Sequence, residues 1–183
     1  MADAMRRLAL HFLFTPFTRL ALIAWLALTG AMSAAQTLDI RSALSAPGGS
    51  SVFPADAAAL EVALPDEWAR TRPGFGGTLW YRVRFGALIV PASDDLLALY
   101  VEHVCSNLEV HLNGQMVHSG GRMGGHITHN CNHPQLVALP SALIRPGANL
   151  LDIKVAGHAL AEVGSHQRAG GLSALSIGPQ SLL

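Results

Sequence analysis

The chain has 183 residues, half of them hydrophobic and 13% charged, and its formal charges cancel at pH 7. That length suits one ordinary domain, and the apolar content is ample for a core. With neither sign of charge in excess, nucleic acid and an anionic membrane surface are not indicated as partners.

Residues 1–35 read as a leader. Arg6, Arg7 and Arg19 precede the apolar run Leu20–Leu28, and the small residues of "TGAMSAAQ" follow. A basic region, a short apolar stretch and a small-x-small site describe a secretory signal peptide, with cleavage after Ala35. An uncleaved anchor helix is the alternative. Spanning takes ~20 apolar residues, and Arg19 interrupts the run when it is extended backwards. Arg6-Arg7 alone is a weak sign of twin-arginine export. Either way the protein is expected in the periplasm or outside the cell, anchored through the N-terminal segment if the leader stays.

Residues 36–59 hold Pro, Gly, Ser and Ala with little periodicity, so a flexible entry segment that wraps the domain or stays mobile is expected there. From residue 60 onward, strand candidates follow one another closely. They are Leu60–Leu64, Thr78–Phe85, the nearly unbroken apolar run Leu96–Val101, Leu108–Leu112, Gln115–Ser119, Gln135–Leu139, Leu150–Ala156 and Leu172–Ile177. In "LEVHLNGQMVHSGG" the apolar Leu108, Val110 and Leu112 face one way and Glu109 and His111 the other. Asn113-Gly114 supplies the two positive φ angles of a type I′ turn. Only Pro140–Ile144 looks helical, for about a turn. Short strands separated by Gly, Pro and Asn, without a repeat, predict an all-β sandwich or barrel over residues 60–183.

Cys105 and Cys131 are the two cysteines of the chain. In an exported domain a lone pair commonly forms a disulfide, and this one would tie the start of the hairpin to the loop after it. Two separate thiols are the alternative, because spacing does not give geometry.

Three pieces occur in a recognisable order: "LPDEWARTRPGFGGTLWYRVRF", "VCSNLEVHLNGQMVHSGG" and "LPSALIRPGANLLDIKVAG". Together they resemble the galactose-binding-like jelly-roll β-sandwich, the sugar-binding domain of β-galactosidase-type glycosidases. The resemblance rests on Trp80-Tyr81-Arg82, on Asn113-Gly114 and on the turn from Arg145 to Leu150, and it runs from about Leu64 to Ile177. It implies a sandwich of about eight strands. Similar domains form the periplasmic sensing segments of sensor histidine kinases, and the leader followed directly by the sandwich resembles that arrangement more than a glycosidase. Neither membrane helices nor a kinase follow the sandwich in these 183 residues, which leaves a stand-alone domain or the input end of a receptor as alternatives.

Candidate chemistry is sparse. Trp80, Arg82 and Arg84 alternate onto the less apolar face of their strand, where they would make a sugar-stacking or carboxylate-binding platform. The alternative places Trp80 beneath covering loops with the arginines lying over it. Ligands of such folds sit at loops at one end or on a concave face, which adds Glu102, His103, Asn107 and Arg122 as binding candidates. His126, His129 and His133 surround Cys131 in "GGHITHNCNHP", a set that would suit zinc or copper although its spacing matches no established template. A solvated polar loop or a pH-responsive one is the alternative. Acidic residues are few, and Glu102 and Glu109 are the one pair worth inspecting for glycosidase chemistry. There is no Gly-x-Ser-x-Gly elbow, and "GGRMGG" lacks the following helix that a phosphate loop needs. The expectation is therefore a non-catalytic, cofactor-free recognition or sensing module for a small molecule or carbohydrate, working with a downstream membrane or signalling partner. A carbohydrate-binding accessory domain and a small metal-binding protein are the alternatives.

Overall fold

The computed structural model describes residues 36–86, 95–164 and 168–183; the leader expected over 1–35 lies outside them. Thirteen strands are present among these residues: β1 Leu38–Ile40, β2 Ser42–Pro47, β3 Leu60–Ala63, β4 Asp66–Glu67, β5 Gly77–Gly86, β6 Leu97–Val101, β7 Val104–Cys105, β8 Asn107–Leu112, β9 Gln115–Ser119, β10 Gln135–Ala138, β11 Ala148–Gly157, β12 Gly171–Leu172 and β13 Leu175–Pro179. They form antiparallel sheets in the orders β3-β2-β5-β11-β8-β9, β1-β13-β6-β10 and β4-β12-β7. The fold is all-β, as expected.

Alternation builds the larger sheet. β5 pairs with β11 over ten residues, from Gly77 opposite Gly157 to Gly86 opposite Ala148. Tyr81, Val83 and Phe85 on β5 are buried with Leu151, Ile153 and Val155 on β11 and Leu108, Val110 and Leu112 on β8. They share one apolar cluster with Leu97, Leu99 and Val101 of β6 and with Leu175 and Ile177 of β13. Two sheets thus enclose a common core, each fully buried aliphatic side chain contributing ~1.5–3 kcal/mol. β6 is buried on both sides at Ala98 and Leu99, which explains its unbroken apolar run.

The β8–β9 hairpin turns at Asn113 and Gly114, with φ of 52° and 88°, the type I′ signature. Asn113 also anchors this turn to the one before β11. Its side chain donates to Leu143 O and Asn149 Oδ1 and accepts from Leu150 N. Asn149, fully buried, in turn accepts from Arg145 N and donates to Arg145 O. The Pro-Gly-Ala-Asn motif is therefore a lock between two turns.

Two expectations need correction. The segment 36–59, read as an entry segment that wraps or stays mobile, is not mobile lead-in throughout: it contributes β1 and β2 to two different sheets. β2 is written in Ala and Ser, which carry little strand propensity, but it lies beside the bulky face of β5: Ser45 is opposite Tyr81 and Ala46 opposite Trp80. Leu172–Ile177 is two strands rather than one. Ser173 breaks it, its N–H donating to His103 O and its Oγ accepting from His103 N. The single helical turn expected over Pro140–Ile144 is present as a 3-10 turn at Ser141–Leu143.

Candidate functional site

At one end of the sandwich, β5 begins, β8 begins and β11 ends. Here the connections 102–106 and 120–134 come together with residues 158–164 and 168–170. Cys105 and Cys131 form a disulfide with their Cα atoms 4.4 Å apart, so the first two of these loops are covalently joined. Cys131 is thereby removed as a metal ligand.

The long loop 120–134 has no regular structure, and side chains hold its backbone instead. Asn107, fully buried, donates to Arg122 O and accepts from Asn130 Nδ2. The same Asn130 amide donates to Gly120 O, and Asn130 N donates to Ser106 O. Across the loop, Arg122 N donates to Thr128 Oγ1 and Thr128 N to Arg122 O. Gly120 is required because a Cβ there would run into the Asn107 side chain.

This scaffold presents two clefts, one on each side of the turn Leu160–Glu162. The larger, about 560 Å³, lies between the loop residues Arg122, His126 and His129 and, on the facing segment, His158 and Glu162. The rings of His129 and His158 stack 6.0 Å apart at 23°, and His158 Nδ1 is 3.7 Å from Glu162 Oε2. The smaller, about 330 Å³, is lined by Glu67, His103, Leu160 and Arg168 beside Cys105. Arg168 Nη1 is 3.4 Å from His103 Nε2. Among the described residues neither Arg122 nor Arg168 has a carboxylate within 4.0 Å. One carboxylate lines each cleft, Glu162 or Glu67, whereas glycoside hydrolysis uses two across the scissile bond.

The sequence candidates therefore separate. Arg122, His126 and His129 meet at the larger cleft, and His103 lines the smaller one. Asn107 holds the loop from beneath. Glu102 and His133 are exposed and line neither cleft. The pair Glu102 and Glu109 does not meet at either, since Glu109 sits on β8 with Lys154 at 3.9 Å. No group of three or more His, Cys, Asp or Glu side chains among the described residues is placed to hold a metal ion, so His126, His129 and His133 do not converge as a ligand set.

Trp80 and Arg82 lie elsewhere, on the outer face of the six-stranded sheet. Trp80 is fully buried, with Phe53 edge-on at 6.4 Å and His111 at 5.2 Å between ring centroids. Arg82 is bidentate to Asp152 at 2.6 and 2.7 Å, reaches Asp56 at 2.8 Å and lies 4.0 Å over the Phe53 ring. Hydrogen bonding to Asp152 raises its pKa further against the cost of burial. The exposed stacking platform is thus corrected: the covering segment seals Trp80, and the Arg82 guanidinium is already engaged by carboxylates.

His158, Glu162, Glu67 and Arg168 were not singled out from the sequence. His158, Glu162 and Arg168 lie on the one connection between β11 and β12 and Glu67 ends β4, and only the packing of β4, β11 and β12 brings them to the loop end.

No protein-family model and no curated protein sequence matches the chain. Solved structures do. A GH2 β-galacturonidase from Eisenbergiella tayi bound to galacturonate is similar over 79% of this chain and 24% of its own, at 16% identity and TM-score 0.54. A β-glucuronidase from an uncultured Clostridium sp. is similar over 80% and 29%, at 14% and 0.55. An FMN-binding β-glucuronidase from Facaelibacterium prausnitzii L2-6 is similar over 79% and 22%, at 19% and 0.55. This chain spans about a quarter of the length of those enzymes. What it shares with them is the galactose-binding-like β-sandwich fold of their small domains.

Proposed function

We propose that the chain is a non-catalytic recognition module that binds a small acidic carbohydrate or related carboxylate in the larger loop-end cleft. The observation carrying this reading is the lining of that cleft: Arg122, His126, His129 and His158 face it with Glu162 as the one carboxylate. Arginine pairs with carboxylates in bidentate geometry, and imidazole N–H groups add hydrogen-bond donors beside it. Likeness to domains of enzymes that act on uronic acid conjugates supports a sugar acid as the probe of choice. The leader and the disulfide suit an exported protein. For the wider role we favour the input domain of a receptor-like signalling protein, in the periplasm or outside the cell. A carbohydrate-binding accessory domain is favoured instead by the glycosidase neighbours.

Titration of the full-length chain with D-galacturonate, D-glucuronate and D-galactose, followed calorimetrically, tests the proposal. The uronates should bind more tightly than galactose. Arg122→Ala should weaken them by about tenfold or more, the worth of one charge-assisted hydrogen bond. Uronate affinity equal to that of galactose, or unchanged in Arg122→Ala, would sink the reading.

A further inference from the structure

The two loop-end clefts share a wall. Leu160 lines the smaller and Glu162 the larger, and both belong to the single 3-10 turn Leu160–Glu162. At ~2 Å of rise per residue such a turn is only about 6 Å long, so little chain separates the clefts. The wall is also fastened down. Leu160 N donates to Pro73 O at 3.0 Å, and Ala159 N donates to Glu162 Oε2 at 3.3 Å. Gly170 N donates to His158 O at 2.9 Å, joining the two ends of this connection. From the other side Gly76 packs so closely that a Cβ there would lie 3.0 Å from Ala159 N.

Each cleft carries one guanidinium, Arg122 in the larger and Arg168 in the smaller. Among the described residues neither has a carboxylate within 4.0 Å. Arg168 is held in place by a contact that leaves its charge unmatched. A guanidinium only donates, so Nη1 gives a hydrogen to His103 Nε2 at 3.4 Å. His103 is itself fixed through its backbone, whose N–H and C=O both bond to the buried Ser173. The carboxylates nearby are turned elsewhere: Glu162 faces His158 and Ala159 N, and Glu67 is exposed to solvent. Between the two charged sites stands Leu160, 46% exposed, an apolar contact for the C–H face of a sugar ring.

Given a uronate in the larger cleft, as proposed above, we infer that the ligand is a linear oligouronide that crosses the Leu160–Glu162 turn. One of its carboxylates pairs with Arg122, and a second, farther along the chain, pairs with Arg168 beside His103. The second contact is made at the high effective concentration that a short covalent link provides. The smaller cleft thus sets a preference for a uronide chain over the free monosaccharide.

Calorimetric titration of the full-length protein with D-galacturonate, digalacturonate and trigalacturonate tests this. At least one oligomer should bind about tenfold or more tightly than the monosaccharide, the worth of one further charge-assisted hydrogen bond. Arg168→Ala should abolish that gain and leave galacturonate affinity as it is, which also shows that the variant is folded. Arg122→Ala should weaken monosaccharide and oligomers alike. Equal affinity for all three compounds overturns the inference. So does a gain that persists in Arg168→Ala, since it then comes from contacts outside the smaller cleft. In both of those outcomes galacturonate binding that depends on Arg122 still upholds the uronate reading. Loss of that dependence sinks the reading and the inference together.

Discussion

Tyr81 donates its hydroxyl hydrogen to Asp66 Oδ2 at 2.7 Å and accepts one from Trp68 Nε1 at 2.8 Å. Asp66 is almost completely buried, and Arg72 and Thr71 also donate to it, at 2.7 and 2.6 Å. Burial above all pushes the Tyr81 phenol far above its ordinary pKa, so it remains a donor throughout the neutral range. Removing that one oxygen strands the Trp68 N–H inside the core and takes one donor from a buried carboxylate. Tyr81→Phe should therefore destabilise by about 1–3 kcal/mol. In urea unfolding it should lower the midpoint without changing the slope; an unchanged midpoint would show that the hydroxyl is energetically idle. At this scale the sequence was half legible. Strand alternation placed Tyr81 inward and Trp80 outward, as observed. It carried no sign that Asp66, next to a proline and followed by a helical turn, would be a buried acceptor, because its partners come from residues 5 to 15 positions away.

Among the elements, those with strong local chemistry match their expected form. The hairpin follows from its Asn-Gly turn, and β5 and β11 from alternation. β2 was hidden because its residues are small, and they are small because Trp80 and Tyr81 stand opposite them. That constraint belongs to the neighbouring strand and leaves no local pattern. The turn before β11 is the converse case, a recognisable motif whose purpose emerges only in three dimensions. Asn149 closes it and binds Asn113 of the hairpin, so two turns 36 positions apart are set by one amide pair. Asn149→Ala would leave Arg145 N, Arg145 O and part of the Asn113 amide without their partner. The expected cost is about 1–3 kcal/mol, or ~2–12 °C in Tm for a chain of this size, read by thermal unfolding monitored by circular dichroism. Asn149→Asp should cost less, since a carboxylate still accepts from Arg145 N and Asn113. Equal losses in the two variants would count against the lock.

For the whole molecule, the sandwich was legible and the loop end largely was not, and the reason is physical. The fold is specified by periodic burial repeated along many strands. The cleft is specified by a few polar residues on three connections, whose meeting depends on strand order and on one covalent bond. That bond also decides how independent the cleft is of the core. Joining Cys105 to Cys131 closes a loop with a sequence separation of 26, and in the chain-entropy account such a closure stabilises by ~3–4 kcal/mol. Loop 120–134 is otherwise held by the side-chain hydrogen bonds of Asn107, Thr128 and Asn130, while the apolar cluster common to the two sheets excludes its residues altogether. Replacing both cysteines by serine should therefore lower Tm by roughly 6–16 °C yet leave a folded sandwich with its near-ultraviolet circular dichroism below the transition. Uronate binding should weaken more than this stability loss alone requires, because Arg122, His126 and His129 ride on the released loop. If binding survives untouched in the double variant, the hydrogen-bonded asparagines alone order the cleft, and the disulfide serves only the stability of the fold.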